Sequence, residues 1–160
     1  MTGTDSVYRP PLDWAEEFLN TSAVPITAEP GVWQDVGLTI ALPRAGTYEV
    51  TAEAQGVVNY TAGTVVRNVA IAYRLFNLTD GTAVPRSQRI AFLASAPPTT
   101  TIGHHGGPSL RSFIQVTAPA VIGLQHMRYA SGTGGTFTVS ETRGNDNALG
   151  DTAIHWVKIR

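Results

Sequence analysis

The sequence predicts an all-β chain of antiparallel strands, of the sandwich, barrel or jelly-roll class, and three observations carry that prediction. From Val32 onward apolar residues recur at every second position, the period of a strand and not of a helix. These stretches are short and separated by turns rich in Gly, Pro and Asp. No segment repeats, which argues against a propeller or a solenoid.

Residues 1–30 differ from the rest. "YRPPLDWAEEFLN" holds the only helical signal: Asp13 can cap, Glu16 follows three residues later, and Trp14 and Phe18 share a face at helical spacing. A helix this short is not stable alone, so it is expected to dock on its own domain or on a partner. "NTSAVPITAEPG" reads as an extended linker, with Pro25 and Pro30 blocking regular structure. The predicted organisation is an N-terminal arm, 1–30, with one short helix, followed by a β domain, 31–160.

Within that domain "WQDVGLTIAL" places Val36, Leu38, Ile40 and Leu42 on one face, and "PRAG" turns the chain. "TYEVTAEAQG" alternates Tyr48, Val50, Ala52 and Ala54 inward with Thr47, Glu49, Thr51 and Glu53 outward, an antiparallel strand with one wet face. "VVRNVAIAYRLFN" has Val69, Ile71, Tyr73 and Leu75 on one side. Its other side carries Ala70 and Ala72, small residues against which a neighbour can pack closely. "LTDGTAV" contains an Asp-Gly hairpin signal, and "QRIAFLAS" is a further strand. "APPTTTIGHHGGPSL", 96–110, reads as a long loop, and loops of this length in compact domains are often binding elements. "RSFIQVTAP" alternates again, "AVIGLQHMRYAS" is apolar on both faces, and "GTGG" leads into "TFTVSETR". After "GNDNALGD" comes "TAIHWVKIR", apolar on both faces and so expected to be covered on both.

Charged residues make up 14% of the chain, well under the usual quarter of a soluble protein. Either neighbours cover much of the surface, or the surface is a neutral one of Thr, Gly and Ser. Net charge is −1 and Lys158 is the only lysine, so no basic run is present to neutralise phosphates and nucleic-acid binding is not expected. The absence of cysteine excludes disulfides and thiolate metal sites. The opening "MTGTDSVYRPP" lacks the basic and apolar regions of a signal peptide, and no apolar run is long enough to span a membrane.

"LPRAGTYEV", with Pro43, Gly46 and Tyr48 in a P-x-x-G-x-Y pattern, resembles a motif of the trimeric C1q/TNF-like jelly rolls. "YRLFNLTDGTAV" is similar to that family's strand–turn–strand, "SFIQVTAPAVIGLQHMRY" to the paired strands that follow, and "GDTAIHWVKIR" to its closing strand. The resemblance covers about residues 31–160. Without a collagen-like or coiled-coil stalk, the chain resembles the small jelly rolls of tailed-bacteriophage virions: head decoration or cement proteins, spikes and fibre tips. The resemblance implies a homotrimer with the closing strand near its three-fold. Ala70, Ala72, Ile154, His155, Trp156 and Lys158 would then lie at the subunit interface. It also implies an arm attached to the major capsid protein or another virion protein through Tyr8, Arg9, Leu12, Trp14, Phe18 and Leu19. The expected role is a non-enzymatic structural one in the virion. The alternative is a receptor- or glycan-binding tip of a tail fibre, with Tyr60 and Tyr129 as exposed stacking residues.

The side chains that carry chemistry do not assemble into a recognisable catalytic set. Glu49 and Glu53 lie on one strand face about 13 Å apart, too far for a glycosidase pair. Glu16 and Glu17 are adjacent in the expected helical turn. There is no G-x-S-x-G elbow, and "SGTGG" lacks the Lys-Ser/Thr of a phosphate-binding loop. His104 and His105 are neighbours in the 96–110 loop and weak metal candidates, and His126 and His155 lie on strands. No cofactor, no enzymatic activity and no membrane partner are expected.

Overall fold

A computed structural model describes residues 13–144 and 150–159. Its strands, in chain order, are β1 (Trp14–Phe18), β2 (Ala23–Pro25), β3 (Gln34–Leu42), β4 (Gly46–Glu53), β5 (Gln55–Thr61), β6 (Arg67–Asn77), β7 (Thr82–Ala83), β8 (Arg89–Ala96), β9 (Thr101–Gly106), β10 (Ser109–Val116), β11 (Ala120–Ala130), β12 (Thr136–Arg143) and β13 (Ala153–Lys158). They form three antiparallel sheets around one core: β1-β13-β4-β10, β2-β12-β5-β9, and β3-β11-β6 with β7 and β8 along the far side of β6.

The pairing has a simple logic. The first strand pairs with the last, β1 with β13. Working inward, β2 pairs with β12, β3 with β11, β4 with β10, β5 with β9 and β6 with β8. The chain is thus one long two-stranded ribbon, folded back at the β6–β8 connection. Rolling that ribbon brings a second set of neighbours together, β4 with β13, β5 with β12 and β6 with β11. This winding is consistent with a jelly roll. The fold-back uses the Asp-Gly signal: Asn77 Oδ1 accepts from the amides of Thr79 and Asp80, and Gly81 takes φ +67°.

Period-two alternation decides which face is buried. In β3 and β10 every second residue is buried. Tyr48, Val50 and Ala52 of β4 and Val69, Ile71, Tyr73 and Leu75 of β6 all reach the core. Tyr48, from the P-x-x-G-x-Y pattern, donates from its hydroxyl to the Arg44 carbonyl at 2.8 Å. Its ring meets Trp156 edge to face, centroids 5.0 Å apart. Trp156 in turn donates from Nε1 to the Ala41 carbonyl at 2.9 Å, linking β13 to β3 across the core. Gly56 leaves the gap that Tyr73 fills: a Cβ there would sit 2.9 Å from the Tyr73 hydroxyl oxygen.

Several expectations are corrected. The expected helix at Asp13–Phe18 is strand β1, in register with β13 over its whole length, from Trp14↔Val157 to Phe18↔Ala153. A few residues of isolated helix cannot outweigh a ladder of backbone hydrogen bonds on a preformed edge. Asp13 pairs with Arg44 instead of capping. The expected linker contains β2, and Leu19 and Ile26 are in the core. The 96–110 loop contains β9, paired with β5. Strand β5 was not anticipated, because only Ala54 separates it from β4 and the chain passes between sheets without a turn signal.

Replacing Trp156 with Phe is expected to cost about 1–3 kcal/mol by leaving the Ala41 carbonyl unpaired. Replacement with Ala is expected to cost about 3–5 kcal/mol by opening a cavity beside Tyr48. Urea unfolding of the two variants against the parent measures both.

Candidate interaction surface

The sheet β3-β11-β6-β8 has one face in the core and one outside. In the middle of the outer face, cross-strand rows run Tyr129–Ala70–Leu93 and Met127–Ala72–Ile90. Ala70 and Ala72 are nearly covered by their taller neighbours and form the floor. Leu93 is 64% exposed, Ile90 57% and Tyr129 43%. Simple alternation would put Ile90 with Phe92, which faces the core. A register slip opposite Ile71 and Ala72 adds one residue to β8 and turns Ile90 to the outside with Leu93. One end of the patch is polar. There Arg74 Nε donates to Gln125 Oε1 at 2.8 Å, Gln125 Nε2 donates to Asp35 Oδ1 at 2.7 Å, and the Arg74 guanidinium lies over the Trp33 ring.

The outer face of β1-β13-β4-β10 is different. Its rows read Trp14–Val157–Glu49–Phe113 and Glu16–His155–Thr51–Arg111. Trp14 and Phe113 are both about two-thirds exposed, and Phe18 is exposed beyond them. Glu49 accepts from Arg111 Nε at 2.6 Å. This carboxylate therefore belongs to an ion pair.

The residues expected at a trimer interface fall in three places. Ala70 and Ala72 lie on the apolar outer face just described. His155 and Lys158 are half-buried in β13, and Lys158 donates from Nζ to the Ala45 carbonyl at 3.2 Å. Ile154 and Trp156 point into the chain's own core and are not available to a neighbour. The inner face of this strand is covered by the core, while on its outer face His155 and Val157 are half-buried between β1 and β4.

Of the arm residues, Trp14 and Phe18 are exposed, Leu19 is buried, and Tyr8, Arg9 and Leu12 lie outside the described residues. Tyr60, expected as an exposed stacking residue, is buried with its ring against Phe137, because β5 turns that face to the core. Tyr129 alone of that pair reaches the surface. His104 packs on Phe92, centroids 4.8 Å apart, and its ring is 6.4 Å from that of His105. Among the described residues no three His, Asp or Glu side chains are gathered in a way that could hold a metal ion. Sequence reasoning assigned no role to Ile90, Leu93 or Phe113, although alternation does place Phe113 opposite Ile114 and Val116. The sequence signal for Ile90 and Leu93 is the crowding of apolar residues in "RIAFLA", one too many for a single face.

One buried polar group stands out. His126, fully enclosed, has its Nδ1 2.7 Å from the Thr142 hydroxyl, which is also 3.0 Å from the Tyr73 hydroxyl. Its Nε2 meets no hydrogen-bond partner. Burial pushes its pKa down to about 4, with nearby Asp35 only partly opposing this.

No family model and no curated protein sequence matches the chain. Among solved structures it is similar to chains of infectious bursal disease virus particles. Against the chain of the virus-derived T=1 particles the identity is 17% and the TM-score 0.38, covering 99% of this chain and 40% of that one. Against the Gx strain the values are 16% and 0.31, covering 100% and 41%. Against the VP2 subviral particle they are 16% and 0.30, covering 99% and 42%. The chain thus spans about two fifths of the length of those chains.

The ring of His126 makes stability depend on pH with a definite sign. The depressed folded-state pKa means that the unfolded chain takes up the proton first. His126 therefore lowers stability as pH falls from about 6.5 through about 4, by on the order of 3 kcal/mol, and leaves it unchanged above that window. Denaturant unfolding across this range, compared with H126N, is expected to show that part of the slope disappear in the variant.

Proposed function

We propose that this chain is a non-enzymatic structural protein of a virion, of the phage C1q/TNF-like jelly-roll type. In this reading it forms a homotrimer that decorates or braces a capsid, attached through its N-terminal residues. The observation that carries the proposal is the apolar outer face of β6, β8 and β11. Ile90, Leu93 and Tyr129 stand over Ala70 and Ala72. Large apolar side chains clustered on one sheet face mark a surface that becomes covered. Ile90, Leu93 and Tyr129 supply the contact area above the alanine floor, and a second copy of this chain is the occupant this reading assigns. The rolled ribbon and the placement of Tyr48 of the P-x-x-G-x-Y pattern in the core give further support.

Attachment would then use Trp14 and Phe18, exposed on β1, together with the residues that precede them. Three copies held together present three such segments. Once one is bound, the next meets its site at high effective concentration. Contacts that exist only on the assembled shell stabilise that shell by mass action.

The mass of the purified protein in solution, measured by light scattering after size exclusion, is expected to be that of a trimer. Leu93→Arg is expected to weaken association by about two orders of magnitude without unfolding the monomer, because the substituted side chain is solvated there. A monomeric parent overturns the assembly. The double variant W14A/F18A is expected to remain trimeric and to lose co-sedimentation with capsids. Attachment unchanged in that variant would count against the assigned contact.

A further inference from the structure

The turn between β7 and β8 and the strand β10 enclose an open cleft of about 530 Å³, lined by Pro85, Arg86, Arg89, Arg111, Ser112 and Phe113. Three arginines therefore line one cleft on a chain whose net charge is −1. They are held in place from below. Ser87 is buried, accepts from the Leu75 amide at 3.0 Å and donates to the Val84 carbonyl at 2.8 Å, which ties the turn to β6. Arg86 takes φ +60°, a left-handed conformation that a non-glycine residue keeps only when its surroundings impose it. Arg89 Nη1 donates to the carbonyls of Arg86 and Gln88 at 2.9 and 2.7 Å, leaving its other donors free to reach outward. Arg111 is oriented by Glu49 and lies 5.5 Å from the centre of the Phe113 ring.

One carboxylate against three guanidiniums leaves an excess of positive charge. Guanidinium groups bind carboxylates in pairs of parallel hydrogen bonds. The cleft also runs beside β10, the outermost strand of its sheet, whose outward backbone groups can pair with an extended chain. Its remaining lining is apolar: Pro85 and the exposed ring of Phe113, with Ser112 turned toward the core. It lacks the side-chain amides and hydroxyls that read sugar hydroxyls, and it is too local for the backbone of a nucleic acid.

We propose that this cleft is a docking site for an extended acidic segment of a partner polypeptide, carboxylates on Arg86, Arg89 and Arg111 and an apolar side chain against Phe113. The cleft borders the proposed trimer face, Arg89 standing next to Ile90 in β8, but its other wall is β10 of a different sheet.

The test is fluorescence anisotropy of the full chain with a short labelled peptide of alternating Glu and Val. Saturable binding is expected, weakening as salt is raised. R86A/R89A is expected to raise Kd about tenfold, the exposed setting keeping each ion pair modest. R86E leaves the Arg89 bonds to the turn intact and is expected to weaken binding at least as much, and thermal melts establish that both variants fold. The Gln/Val counterpart of the peptide is expected not to bind. The proposal is overturned if neither variant changes the affinity or if the Gln/Val peptide binds equally well. It is also overturned if an oligogalacturonate or inorganic phosphate competes as strongly as the acidic peptide, since either would assign the cleft to a glycan or a simple anion.

Discussion

The closure of the ribbon at its two ends is the constraint on which the remaining architecture depends. Buried backbone amides and carbonyls must be paired, and with no helix among the described residues strand neighbours do most of it. Pairing β1 with β13 gives β13 a partner on both sides and turns Ile154 and Trp156 into the core. Trp156 then reaches the Ala41 carbonyl in another sheet and meets the ring of Tyr48. Each of these contacts joins residues far apart in sequence, so loop-closure entropy must be met before the contacts that offset it exist, and folding is slow for such a topology.

Rolling a ribbon produces inner and outer faces with different fates. The inner faces share a core in which Tyr73 and His126 meet around the Thr142 hydroxyl. The outer faces divide the work. One is apolar and flat over the two alanines of β6; the other mixes aromatic rings with carboxylates and Arg111. A chain with so few charges leaves the first face without the solvating side chains that would keep it apart from a neighbour.

The ribbon also leaves open edges, and β10 is one of them. Arginines beside an edge strand discourage indiscriminate pairing between sheets. Here they are set on a turn anchored through Ser87, so the charge that repels unsuitable chains also selects for acidic ones. Edge protection and selective docking are two consequences of one electrostatic arrangement.

The alternation in β3, β4, β6 and β10, and the Asp80–Gly81 turn, follow from local rules and were legible in the amino acids alone: a side chain's face in a strand is fixed by counting, and a tight turn by the residues that tolerate it. What counting cannot supply is the partner. Trp14–Phe18 has helical spacing and strand spacing alike, and only the open edge of β13 decides for the strand. The segment 96–110 looks like a loop until β5 offers it a ladder. The slip that turns Ile90 outward and the turn that brings Arg86 and Arg89 to Arg111 arise between strands, from register and winding. Composition and periodicity thus determined an all-β chain and most of its buried faces. Its ends, its exposed apolar surface and its arginine cleft were decided by the tertiary structure, because each depends on backbone pairing between segments distant in sequence.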